Sequence, residues 1–206
     1  MDLASKNATR LYWVLMACGV LLSTFFGTSF AQSPAREDKK MIEKVTLFEF
    51  QLPEKPWPNV DDVVMGGVSS SRMRMEDSTA IFEGKLSLEN NGGFASVRSN
   101  SVVQDLTGFN AVRLRVRGDG KKYQFRIRTS QSFDGASYQK TFETEKDQWN
   151  EVELSFSDFV AAFRGRVLPN EPPIDASRIS AFGFLIADKQ EGPFRLEIDW
   201  IQAFRK

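Results

Sequence analysis

The sequence contains no histidine, and its one cysteine, Cys18, lies close to the N-terminus. These two absences exclude several chemistries at once. A zinc site with imidazole or thiolate ligands, a Ser-His-Asp triad, a cysteine nucleophile and a disulfide within the body of the chain all lack their atoms. Acid–base work at neutral pH would fall to carboxylates, lysine or tyrosine. Charge of one sign is also missing, because 27 Lys+Arg stand against 27 Asp+Glu in 206 residues. Near-neutrality speaks against a nucleic-acid binder, which needs a basic footprint. Internal repeats and long helical periods are absent too. Hydrophobic residues at 41% and charged residues at 26% describe a globular chain, and the length suits one domain.

The N-terminus reads as a leader. Lys6 and Arg10 precede an uncharged run from Leu11 to Phe30, and small residues at Ser29 and Ala31 complete a secretory signal cleaved after Ala31. The run is also long enough to cross a bilayer as a retained anchor, with membrane contact through residues 11–30. Leu15-Met16-Ala17-Cys18 has the letters of a lipoprotein box, but a second apolar stretch follows it. Basic residues flank both ends of the run, so charge does not orient a retained helix. Residues 32–44 form a polar tether. The expectation is an exported (periplasmic or extracellular) or membrane-anchored domain, with residues 1–31 as leader and 45–206 as the folded body.

Past residue 44 the dominant period is two. Val112, Leu114 and Val116 alternate with arginines, and Tyr123, Phe125 and Ile127 alternate with Gln124, Arg126 and Arg128. Val152, Leu154 and Phe156 behave likewise, as do Phe194, Leu196, Ile198 and Trp200. Each pattern is a strand with one buried and one wetter face. Further strands are expected over 45–50, 68–75, 80–88, 94–100, 138–144 and 179–187, about ten in all, separated by Gly- and Asn-rich turns. Ser157–Phe163 reads as one short helical turn. Many short strands without crossover helices give an all-β, two-sheet antiparallel jelly-roll sandwich.

Three candidate sites stand out. Residues 57–69 (WPNVDDVVMGGVS) could grip a peptide or sugar through Trp57, Asn59 and Met65, and Asp61 with Asp62 could attract Ca²⁺. The same residue types also explain themselves as side-chain turns, with Trp57 capping the core. Residues 89–98 (ENNGGFASVR) combine a positive-φ turn at Asn90-Asn91-Gly92-Gly93 with Arg98, a guanidinium able to clamp a partner's carboxylate or equally to pair with Glu89 or Asp62. The third is an arginine ladder, Arg113, Arg115 and Arg117 beside Arg126 and Arg128, expected on one sheet face. Glu143, Glu145, Glu151 and Glu153 are available to neutralise it. No carboxylate pair has the spacing of a hydrolase site; no catalytic residue, cofactor or metal site is assigned.

The segments Asn59–Ser69, Phe82-Glu83-Gly84 and Leu86–Arg98, with Gly118-Asp119-Gly120 and Gly183–Phe194 behind them, resemble the complex I intermediate-associated protein 30 kDa family over about Leu47 to Phe204. The resemblance implies a galactose-binding-like jelly roll and an assembly-factor role: mitochondrial relatives chaperone membrane intermediates of respiratory complex I, and relatives in photosynthetic lineages are associated with photosystem biogenesis. It brings no catalytic residues. The leader departs from the Arg- and Ser-rich mitochondrial presequence. The expected function is a non-catalytic protein-binding accessory factor whose partner is a subunit of a membrane complex. The alternative is a carbohydrate-binding module taking a glycan on Trp57, Trp149, Phe133 or Tyr138.

Overall fold

The computed structural model describes residues 43–51, 56–100, 104–130 and 135–206. The leader and nearly all of the expected tether lie outside the described residues. Twelve strands are found among them: β1 (Lys44–Phe48), β2 (Ser70–Glu76), β3 (Thr79–Leu86), β4 (Ala95–Arg98), β5 (Ala111–Arg117), β6 (Lys122–Arg128), β7 (Ser137–Glu143), β8 (Trp149–Ser155), β9 (Val160–Phe163), β10 (Arg166–Val167), β11 (Ala181–Ile186) and β12 (Gly192–Phe204). They form two six-stranded sheets. Sheet A runs β2-β3-β12-β5-β8, with β1 also paired to β12; sheet B runs β10-β9-β7-β6-β11-β4. Every pairing of named strands is antiparallel. The 13-residue β12 serves two partners along one edge, β3 through Gly192–Ile198 and β1 through Ile201–Phe204.

The period-two pattern sets which face is buried. Val112, Leu114 and Val116 from β5 and Phe82, Leu196 and Ile198 from sheet A meet Tyr123, Phe125, Ile127, Phe182, Phe184 and Ile186 from sheet B. Aromatic rings knit the layers: Phe48 of β1 meets Phe182 of β11 edge-on at 5.7 Å, and Phe194 of β12 meets Tyr123 of β6 at 6.5 Å. The all-β sandwich is as expected from the alternation. One local reading changes. Only Phe156–Asp158 makes a 3-10 turn, and Val160–Phe163 is a strand paired to β7. Val160-Ala161-Ala162-Phe163 is too short and too Ala-rich to display a period of two.

The arginine ladder is corrected. β5 and β6 are consecutive but belong to different sheets, so Arg113, Arg115 and Arg117 lie on the outer face of sheet A and Arg126 and Arg128 on that of sheet B. On sheet A the register sets acids opposite the arginines: Arg113 faces Glu153, Arg117 faces Glu197 and Arg195 faces Glu83. The pairs close into a network. Arg113 donates to Glu153 at 2.6 Å and Arg195 to Glu83 and Glu197 at 2.9 Å each. Arg117 donates through Nε to Glu197 at 2.9 Å, and Arg115 pairs with Asp199. Arg115 and Arg117 also lie on the Trp149 ring, 4.8 and 5.1 Å from its centre.

Candidate binding site

The site begins with two adjacent buried carboxylates. Residues 58–62 run beside β4: the Val60 amide donates to Ser96 O at 2.8 Å and the Arg98 amide to Pro58 O at 3.0 Å. Asp61 accepts from the Ser71 amide (2.8 Å) and hydroxyl (2.5 Å), the Ser96 amide (3.1 Å) and the Asn59 side chain (2.8 Å). It therefore ties the β2 edge of sheet A to the β4 edge of sheet B. Asp62 is wholly inaccessible to solvent. It accepts from the Ser69 amide (2.9 Å) and hydroxyl (2.6 Å) and from the amides of Gly93 (2.7 Å) and Phe94 (3.3 Å). Burial pushes its pKa upward, but the Ser69 hydroxyl and the amides of Gly93, Ser69 and Phe94 overcome that and hold it below the usual aspartate value.

Glycine is required on both sides of this carboxylate. A methyl group at Gly67 would overlap the Asp62 side chain, and one at Gly92 would stand 2.6 Å from its Oδ2. The two Asn/Asp/Gly-rich loops are thus one device, built around Asp62. Its product is a 3-10 turn over Asp62–Met65, ended by Gly66 in the left-handed region (φ 92°). The turn holds Val63, Val64 and Met65 out into solvent at 62%, 71% and 61% exposure. Three adjacent apolar side chains on a hydrogen-bonded platform are a surface poised for a partner.

Beside this turn the outer face of sheet B forms a cleft of about 650 Å³. Val64, Met65 and Phe94 make one wall, and Phe163 at the end of β9 with Arg164 and Gly165 of the β9–β10 turn make the other. The floor contains Arg98, Gln124, Arg126, Arg128, Gln139 and Gly183. Arg126 is the unusual group. Its Nη2 donates to the side-chain oxygens of Gln124 (3.2 Å) and Gln139 (3.0 Å), while its Nε is sequestered and makes no hydrogen bond. Burial, with the neighbouring Arg128 charge, pushes its pKa down to about 10.

The profile of the family Complex I intermediate-associated protein 30 matches residues 47–198, a span holding both loops and the cleft. The chain belongs to this family. A Mus musculus relative, "Complex I intermediate-associated protein 30, mitochondrial", is 31% identical over 169 residues, covering 72% of this chain and 52% of its own length. The Drosophila melanogaster protein of the same name is 28% identical over 184 residues, covering 77% and 62%. The chain thus spans between half and two thirds of these relatives. Among solved structures, a family 11 carbohydrate-binding module of a Clostridium thermocellum cellulase superposes with a TM-score of 0.61 at 15% identity, covering 80% of this chain and 96% of that one. That likeness shows the fold alone: an all-β, two-sheet antiparallel sandwich resembling the jelly roll of that module. The expectation of an exported or membrane-anchored domain is corrected, because relatives from Mus musculus, Drosophila melanogaster and Neurospora crassa are named mitochondrial proteins. Among the described residues no helix is long and apolar enough to cross a membrane.

The structure separates the sequence candidates. Met65, Asn91 and Arg98 line the cleft. Asn90, in the left-handed region at φ 55°, is exposed beside it. Asp61 and Asp62 are turned inward onto hydrogen-bond donors, and Asn59 holds Asp61. Trp57, readable as a ligand grip or as a cap on the core, is buried against Phe48, Phe50 and Phe184. The proposed sugar platforms do not converge on the cleft. Tyr138 is buried with its hydroxyl on Pro172 O (2.8 Å), Trp149 lies under two arginines on sheet A, and Phe133 is outside the described residues. Nothing in the sequence marks Gln124, Gln139, Phe163 and Arg164 as members of a site. They carry no motif, and only the pairing of β6, β7 and β9 brings them together.

Proposed function

We propose that the chain is a non-catalytic accessory factor that binds a protein subunit of a respiratory-type membrane complex during assembly. Family membership supports the assembly role. The observation that carries the binding role is the buried Asp62 lock, which presents Val63, Val64 and Met65 beside the cleft in one rigid arrangement. Preorganisation of this kind lowers the entropy lost on binding, and exposed apolar side chains above a defined pocket suit a protein partner.

The test is affinity capture of the tagged chain in mild detergent from cells that carry it, followed by identification of bound proteins. Subunits of a respiratory membrane complex are expected, and Val64→Asp with Met65→Asp should remove them while leaving the melting temperature unchanged. Recovery of no membrane-complex subunit, or undiminished recovery by the double variant, would contradict the proposal.

A further inference from the structure

One transverse row of sheet B has a composition that the protein-binding reading does not account for. The register places Arg98 of β4 opposite Gly183 of β11, Gly183 opposite Arg126 of β6, and Arg126 opposite Gln139 of β7. Neighbouring strands lie about 4.8 Å apart, so two guanidinium-bearing positions flank a glycine with roughly 10 Å between their backbones. Gly183 puts no side chain between Arg98 and Arg126 and leaves a notch floored by backbone, where an added methyl group would stand 2.7 Å from Val97 O. Arg128 follows on the same strand, two residues on and on the same face, with one Nη on Gly135 O at 2.7 Å. Arg164 stands on the wall.

The chain as a whole is neutral, yet the described residues that line the cleft include four arginines and one acid, Asp188. The contrast lies between Arg126 and the arginines of sheet A. On sheet A, Arg113, Arg115, Arg117 and Arg195 each have a carboxylate. Arg126 has two amide oxygens and a sequestered Nε with no acceptor, and among the described residues no carboxylate is paired with it. A guanidinium drawn into a cleft and left without a counter-charge is unfavourable by itself and is relieved by an incoming anion. Val64 and Met65 on one wall and Phe163 on the other add apolar surface that an inorganic anion has no means to cover.

We infer that the cleft binds an acidic polypeptide segment, seating a glutamate or aspartate carboxylate in the Arg98–Gly183–Arg126 notch and neighbouring aliphatic side chains against Val64, Met65 and Phe163. This rests on the protein-binding reading and specifies the chemistry of the partner.

The test is a fluorescence-anisotropy titration of the full chain with a labelled peptide alternating glutamate and leucine, beside its glutamine counterpart. The glutamate peptide should bind at least about ten-fold tighter, and Arg126→Gln or Arg98→Gln should weaken it by about ten-fold. Arg115→Gln, on the opposite face, should change it less than about two-fold. Melting temperatures of each variant separate lost binding from lost fold, and either cleft variant suffices if the other unfolds. Four results would overturn the inference: equal binding of the two peptides, no binding of the glutamate peptide at about 1 mM, equal losses on the two faces, or displacement by inorganic phosphate or a mixed-linked glucan tetrasaccharide at lower concentration than by unlabelled peptide. If the peptide fails while capture still yields complex subunits, the acidic chemistry is wrong and the protein-binding role stands. The reverse pattern removes the role and keeps the chemistry.

Discussion

The two outer faces of the sandwich carry the same residue type to opposite ends. On sheet A, arginines alternate with the core and find acids on the neighbouring strands, so the face is a closed, charge-balanced network running from Arg72 through Glu83, Arg195, Glu197 and Arg117. On sheet B, Arg126 sits in a cleft with amides for company, its pKa depressed by burial and by Arg128. The first arrangement gives each of these arginines a carboxylate, although the Nε of Arg113, like that of Arg126, has no acceptor. The second holds an unmet charge whose natural complement is a ligand. An arginine-rich strand therefore says little about binding until the strand opposite it is known.

The largest expected effect comes from the lock that builds the cleft wall. Asp62→Ala orphans the Ser69, Gly93 and Phe94 donors in a buried space, and should cost roughly 3 kcal/mol or more in denaturant unfolding. A loss under about 1 kcal/mol would mean that water replaces the carboxylate and that the platform is not rigid. The same group gives a pH signature. Asp62, Glu83 and Glu197 all have folded-state pKa values below their ordinary ones: burial acts to raise each, and hydrogen bonds and arginines overcome it. A depressed carboxylate stabilises the fold fully above its ordinary value, 3.8 for Asp62 and 4.5 for the glutamates, and that contribution is lost as pH falls through the lower folded value. Melting temperature should hold down to those ordinary values and drop beneath them, and Asp62→Ala should flatten the drop.

The next pair of variants sets the faces directly against each other. Glu197→Gln removes the acid shared by Arg117 and Arg195, and should destabilise by about 1–3 kcal/mol while leaving partner capture intact. Arg126→Gln removes an unmet charge. Stability should be unchanged or rise by up to about 1 kcal/mol, while capture falls. Opposite signs on stability and on binding would establish the division. Destabilisation by both, with capture retained by both, would reduce sheet B to a second structural face.

The sandwich was legible because alternation such as Val112-Arg113-Leu114-Arg115 encodes a half-buried strand locally. β9 was not, since four residues with two alanines carry no period. Sheet membership was not legible either: Gly118-Asp119-Gly120 reads as a turn between neighbours, yet it passes the chain from sheet A to sheet B. That crossing hid the cleft, because the β6–β7 hairpin bearing Arg126 and Gln139 is far in sequence from Arg98 on β4 and Gly183 on β11. The two Asn/Asp/Gly loops were found as motifs. Their union around Asp62 required knowing that Ser69 and Gly93 approach the same carboxylate. Trp57 read ambiguously for a similar reason, since an aromatic at a loop entrance looks alike whether it caps a core or greets a ligand.

The most direct test places a photo-reactive phenylalanine analogue in place of Phe163, on the cleft wall, or in place of Glu151, on the outer face of sheet A, and compares the products in cells that carry the chain. Cross-links to a membrane-complex subunit from position 163, mapping to an acidic segment of it, and none from position 151 are the expected result. Equal cross-linking from both positions, or cross-linking from position 151 alone, would contradict the assignment of the cleft face as the binding face.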